Sequence, residues 1–211
     1  MLLFRGLSAL LSYPSQDMRE ALPEIADVVR ATTLLTERER RGLLDLIDEL
    51  SHIDLLTIEE RYVDLFDRGR AMSLHLFEHL HGDSRDRGEA MVDLKQIYER
   101  GGFELSTREL PDYLPVLLEY LSCRDIAEAR AMLADCAHIL TTIGRSLIAR
   151  GSRYAAVLQA LIVIAGGTPI DTSKVPPVKE RVEPLDRDWA EEPAFGGAPV
   201  TAAPSARTSD V

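Results

Sequence analysis

The chain is poor in cysteine: Cys123 and Cys136 are the only two in 211 residues. Two thiols make neither a disulfide framework nor a complete four-ligand zinc site. Each falls inside a helical pattern, so both are expected to be buried core thiols. Aromatic residues are also few, 6% of the chain, with Trp189 the single tryptophan. Long apolar runs are missing. The longest, Ala155–Ala165, is interrupted by Gln159 and falls well short of the ~20 residues a membrane-spanning helix needs. The first residues, Met1-Leu2-Leu3-Phe4-Arg5-Gly6, lack the basic start, apolar centre and small-residue cleavage site of a secretory leader. These absences together predict a soluble, cytoplasmic protein.

Positive charge is in deficit as well. Lys and Arg number 24 against 35 Asp and Glu, a formal net charge of −11. Such a polyanion repels phosphate backbones and anionic lipid surfaces, which argues against nucleic acid and against membrane insertion. The partner it attracts is a basic peptide or a basic protein surface. Enzyme templates are absent too: there is no glycine-rich phosphate loop and no G-x-S-x-G, and neither cysteine has the neighbours of a known nucleophile family. The pairs Glu59-Glu60 and Glu191-Glu192 are adjacent in sequence, diverge on a helix, and read as solvated charges.

What is present is helical periodicity. Phe4, Leu7, Leu10 and Leu11 form an apolar stripe that ends before Pro14. A second helix is expected over about Asp17–Ala31, with Pro23 tolerated only if the helix starts near it. Thr36-Glu37-Arg38-Glu39 and Thr57-Ile58-Glu59-Glu60 read as capping boxes. Behind them lie the stripes Leu43, Leu44, Ile47, Leu50 and Ile58, Tyr62, Leu65, Phe66. Ala90, Met91, Leu94, Ile97 and Tyr98 mark a further helix stopped by Gly101-Gly102. Pro111 suits a first helical position ahead of Leu114, Leu117, Leu118 and Leu121, with Pro115 in the first turn. One long helix is expected over Asp125–Ala149, stopped by Gly151, and an almost wholly apolar core helix over Tyr154–Ala165, capped by Ser152. No segment alternates with period two, so no sheet is expected.

This predicts an all-α, single compact domain over residues 1–167, with roughly seven or eight helices. From Thr168 periodicity stops and seven of the eleven prolines follow. Residues 168–211, acidic and proline-rich, are expected to be a disordered tail, with Trp189 as a possible docking segment.

One short pattern tempts toward an enzyme. His75-Leu76-Phe77-Glu78-His79 matches the inverted zinc-protease motif H-x-x-E-H, which on a helix puts His75 and His79 on one face with Glu78 as a base. Five residues arise easily in a chain with five histidines and 35 carboxylates, and no third protein ligand stands out. A zinc hydrolase built on His75, Glu78 and His79 is therefore the weaker reading, and neither a metal site nor catalysis is expected.

The longer stretch Met72–Gly88 that contains this pattern resembles the signature of the NarJ family. Upstream, Tyr62-Val63-Asp64-Leu65-Phe66-Asp67 is similar to that family's Y-x-x-L-F segment. Downstream, Arg108-Glu109-Leu110-Pro111-Asp112-Tyr113-Leu114-Pro115 is similar to its E-L-P-D-x-L-P segment, and Leu11-Ser12-Tyr13-Pro14 to the end of its first helix. The resemblance covers roughly residues 1–165. It implies a non-catalytic, all-α chaperone that matures the molybdenum-containing subunit of respiratory nitrate reductase. It also implies binding to that subunit's basic amphipathic N-terminal segment, holding the apoenzyme open for cofactor insertion and delaying its membrane anchoring. The molybdenum cofactor would then be handled by the client, with cofactor-delivery proteins as further partners and none bound stably here. A chaperone of the TorD-like relatives, serving another molybdoenzyme, is the alternative.

An amphipathic helix laid in an apolar groove is the recognition mode that fits such a client. The residues expected to form the peptide site are Tyr62, Phe66, Leu74, His75, Leu76, Phe77, Glu78, His79, His81, Asp83, Arg87, Pro111, Asp112, Tyr113, Leu114, Leu117 and Leu118. The aromatic and leucine side chains are to supply the groove. Asp64, Asp67, Glu78, Asp83, Asp112 and Glu119 are to ring it with negative charge. Arg85 and Arg87 are expected to brace the turn against Asp83 and Asp86.

Overall fold

The computed structural model describes residues 1–81, 86–105 and 109–178. Among these there are ten α-helices: α1 (Leu2–Leu11), α2 (Gln16–Ala31), α3 (Glu37–His52), α4 (Leu55–Phe66), α5 (Leu76–His81), α6 (Asp86–Arg100), α7 (Leu114–Ser122), α8 (Ile126–Asp135), α9 (Ala137–Ala149) and α10 (Ala155–Ile164). Two short 3-10 turns, Arg70–Met72 and Thr172–Lys174, complete the order. The fold is all-α as the periodicity predicts. No strand occurs among the described residues, though one isolated antiparallel β-bridge pairs His75 with Tyr113.

The helices start where side chains satisfy free amides. Ser15 accepts from the Met18 amide at 3.1 Å and opens α2. Asp54 accepts from the Thr57 amide at 3.0 Å and opens α4, and Asp125 accepts from the Ala127 and Glu128 amides to open α8. Neither expected capping box forms. Thr57 sits inside the first turn and bonds back to Asp54, while the Thr36 hydroxyl donates to the Glu39 carboxylate instead of accepting an amide. Helix ends are set by glycine at Gly102 and Gly151, where φ is 72° and 67°. There the chain closes paired bonds, Phe103 N to Tyr98 O with Gly102 N to Glu99 O, and Ser152 N to Leu147 O with Gly151 N to Ile148 O.

Three expected boundaries are corrected. Helix α2 runs straight through Pro23, which was expected only near a helix start. An interior proline costs about 3 kcal/mol. The α2 face that buries Met18, Leu22, Ile25, Ala26 and Val29 returns more than that, at about 1.5–3 kcal/mol per large side chain. Pro111 lies before α7, which begins at Leu114 with Pro115 in its first turn. The long helix expected over 125–149 is two helices broken at Cys136, whose φ and ψ are −99° and 7°. The Cys136 thiol donates to the carbonyls of Met132 and Leu133 at 3.4 Å, covering the end of α8. The turn lets Ala129 and Leu133 of α8, and Ile139, Leu140, Ile143 and Leu147 of α9, all reach the core.

The core centres on α10, which packs against α9, α3, α8 and α1, while α1 also lies against α7 and α2. The close approach of α1 and α2 uses Gly6, where a Cβ would stand 3.1 Å from Ile25. Cys136 is half-buried, but Cys123 is exposed, contrary to the expectation of two core thiols. Cys123 follows the last turn of α7, where its side chain faces outward.

Residues 1–178 form one compact unit, past the expected end at Gly167. The Gln159 side chain explains this. It donates to the Ile170 carbonyl at 3.0 Å and accepts from the Ile170 amide at 2.8 Å, seating Ile170 against Gly144. The Val178 amide then bonds the Ala149 carbonyl at 2.8 Å. The rest of the expected tail, residues 179–211 with Trp189, lies outside the described residues. No helix among the described residues is long and apolar enough to cross a membrane.

Candidate functional site

The segments just before α5 and α7 run antiparallel and clasp each other. The Leu76 amide donates to the Asp112 carbonyl, and the Leu114 amide to the Leu74 carbonyl, both at 2.9 Å, around the His75–Tyr113 bridge. These two stretches are the heart of the signature segment and of the E-L-P-D stretch. Sequence separation hides the pairing, because a two-residue bridge leaves no periodic trace.

Asp112 holds the clasp together from inside. Its carboxylate is 0% exposed. It accepts from the Phe77 amide at 3.2 Å, faces His75 Nδ1 at 3.3 Å and lies 3.7 Å from the Arg87 guanidinium. Arg87 also reaches Glu78 at 3.4 Å. A buried carboxylate is tolerable only when paired and hydrogen-bonded, and these neighbours meet that need. Asp112 is therefore an internal pin, which corrects the expectation that it belongs to a negative rim. Arg87 pairs with Glu78 and Asp112, while Asp83, one of its expected partners, lies outside the described residues. The Tyr98 hydroxyl adds a tie from α6, donating to the Pro111 carbonyl at 2.9 Å.

The two histidines of H-x-x-E-H are committed to different partners. His75 faces Asp112 and its ring lies 5.1 Å from that of Tyr113. His79 Nε2 donates to the Ser73 carbonyl at 2.9 Å. Among the described residues, no three His, Cys, Asp or Glu side chains are arranged to hold a metal ion.

The expected groove residues divide into two sets. Tyr62, Phe66, Leu74, Leu76, Pro111, Leu114, Leu117 and Leu118 are buried and form the floor beneath the clasp, not an open groove wall. His75, Phe77, Glu78, His79 and Tyr113 are half-buried and make up its outer surface, and Leu80 and Leu110 are exposed. The His81 side chain, Asp83 and Arg85 lie outside the described residues. Tyr62 joins floor to surface. Its hydroxyl donates to the Leu11 carbonyl at 2.8 Å, so the Tyr113 hydroxyl, 3.0 Å away, is the donor to Tyr62.

Negative charge gathers around Tyr113. Burial, with the nearby charges of Asp67 and Glu109, raises its pKa above the ordinary phenol value. Partial burial and then Glu109 raise the Glu119 carboxyl, against the pull of Arg5. Asp64, by contrast, is largely neutralised by Arg68 at 3.3 Å and Arg150 at 3.8 Å. A half-buried aromatic surface with Asp67 and Glu109 near it, and Glu119 near Glu109, suits a cation beside an apolar side chain. Glu109 was not among the expected site residues, although it stands two residues before Pro111 in the matched segment.

Comparison with known proteins agrees with the segment resemblance. Residues 13–158 match the family model described as "Nitrate reductase delta subunit". The chain is 41% identical over 195 residues to the nitrate reductase molybdenum cofactor assembly chaperone NarJ of Escherichia coli K12, covering 88% of this chain and 81% of the relative. The same values hold for NarJ of Escherichia coli O157:H7. A further relative, "Probable nitrate reductase molybdenum cofactor assembly chaperone NarW" of Escherichia coli K12, is 36% identical over 197 residues, 91% of this chain and 82% of the relative.

Proposed function

This chain belongs to the nitrate reductase delta subunit family, and from that premise we propose that it is an assembly chaperone for the catalytic, molybdenum-containing subunit of a respiratory nitrate reductase. Its role is that of a chaperone and not of a catalyst. The cofactor belongs to the client enzyme. In this reading the chaperone binds the client's basic amphipathic N-terminal segment, keeps the apoenzyme competent for cofactor insertion, and delays membrane anchoring until assembly is complete.

The observation that carries the reading is the clasp. It combines a half-buried aromatic surface at His75, Phe77 and Tyr113 with the carboxylates of Asp67, Glu109 and Glu119, in a chain of net charge −11. Apolar contact with the rings supplies affinity, and the surrounding charge steers and orients a cationic segment. The buried pin at Asp112 keeps the two segments in register, so the surface exists before the peptide arrives and little ordering cost remains.

Titration with the N-terminal peptide of the cognate catalytic subunit, followed by NMR shift mapping, tests this. The largest shifts are expected at His75, Phe77, Tyr113 and their neighbours. Shifts confined to regions away from Tyr62–Tyr113 would refute the assignment.

A further inference from the structure

Helix α4 carries a second apolar and acidic surface on the face turned away from the core. Tyr13 and the α4 residues Leu56, Glu59, Glu60 and Val63 line a recess of about 580 Å³. Tyr13 is 52% exposed and Leu56 65%. A single exposed leucine needs no explanation, but two large apolar side chains open in one recess do. The arginines that share the recess are already engaged, Arg61 with Glu49 and Arg68 with Asp64, both at 3.3 Å. Glu59 and Glu60 have no ion-pair partner among the described residues, so the recess keeps unspent negative charge.

The recess adjoins the clasp. The Tyr13 ring stands edge-on to Tyr62, with centroids 5.6 Å apart, and Tyr62 is the residue bonded to Tyr113. Leu56, Glu60, Val63 and Asp67 are spaced four, seven and eleven residues along from the first, so they share one helical face. Asp67, at the end of that face, is one of the two carboxylates whose charge acts on Tyr113. The face therefore leads from the recess toward the clasp, with apolar and acidic side chains along it. At 1.5 Å per residue it is about 17 Å long.

We propose that this recess is a second anchor for the basic amphipathic segment that binds the clasp. A large apolar side chain of the segment seats between Tyr13 and Leu56, and a lysine or arginine beside it faces Glu59 and Glu60. The inference rests on the function proposed above and extends the site by about three helical turns. A ligand too short to span this face would bind the clasp alone.

The test is calorimetric titration of the full chain with the N-terminal peptide of the cognate catalytic subunit. Wild type is compared with the double variant Leu56→Lys, Glu60→Lys, which alters two exposed side chains away from the core. Weakening on the order of ten-fold is expected, as for loss of an anchoring contact, with an unchanged melting temperature. Shortening the peptide at its recess end should weaken wild type and leave the variant unaffected. Tight wild-type binding that the variant retains in full would overturn the recess while leaving the function reading intact. No binding to wild type would overturn both. If the double variant melts early, a photo-crosslinker placed at Leu56 replaces it. Crosslinks to the peptide support the second anchor, and their absence under saturating peptide refutes it.

Discussion

Helix α10 is enclosed by aliphatic contacts along most of its length, with Val157, Leu158, Ala160 and Leu161 all 0% exposed. The clasp between the α5 and α7 segments depends on one carboxylate and a handful of polar bonds. The difference teaches where this molecule stores stability and where it keeps a defined surface. Apolar burial is additive and non-directional, so the α10 layer sets the overall stability. The polar pin is directional: each bond contributes little net free energy, yet an unsatisfied partner is costly. The first arrangement tolerates shape change poorly but position change well. The second fixes two segments in register.

The largest effect is expected from removing bulk in the α10 layer. Leu161→Ala should lower the unfolding free energy by about 2–5 kcal/mol, the range for a fully buried leucine. Denaturant melts check this, and a loss under 1 kcal/mol would show that the layer can collapse around the void. The clasp should respond differently. Asp112→Ala leaves the Phe77 amide without its buried acceptor and Arg87 without one of its two counter-charges, at about 1–3 kcal/mol. Hydrogen exchange should quicken at Leu76, Phe77 and Leu114 while protection along α10 persists, and peptide affinity should fall. Asp112→Asn, which still offers an oxygen to the Phe77 amide, should lose less. Equal loss of protection in both regions after Asp112→Ala would mean that the clasp and the core open as one unit.

How much of this was legible in the sequence follows from the same division. The helices announced themselves because a buried face repeats every three or four residues, as at Phe4, Leu7, Leu10 and Leu11. The family signature was legible as a run of residue types, and it includes the two segments that the clasp joins. Their pairing was not legible, since the bridge between His75 and Tyr113 joins residues far apart in the chain. Nor was the inward turn of Asp112: a carboxylate between Pro111 and Tyr113 reads as solvated until its partners are seen. Pro23 and Cys136 misled in opposite directions. At Pro23 tertiary burial overrode a local breaker. At Cys136 a turn formed with no glycine or proline to announce it. Gln159 read as an interruption of an apolar run, when its side chain ties down the backbone at Ile170.

The two cysteines offer the finest probe of the comparison, with the smallest expected effect. Burial pushes the Cys136 thiol up to about 12, whereas Cys123 is exposed beyond the end of α7. Alkylation needs the thiolate and access to it. At pH 8 iodoacetamide should therefore label Cys123 readily and Cys136 only when the α8–α9 turn opens, with mass spectrometry reading both sites. The sign of the linked pH effect follows. The folded state raises the pKa of Cys136 above its ordinary 9.0, so it favours the protonated thiol. The stability linked to this group is complete below pH 9 and is lost as pH rises toward about 12. Cys136 labelling should consequently accelerate as the pH rises toward about 12. In Asp112→Ala the rate at Cys136 should stay at the wild-type value if the clasp opens independently of the core. In Leu161→Ala it should rise in step with the lost stability, because α8 and α9 both pack on α10. A Cys136 rate that rises equally in both variants would remove the distinction between the two regions.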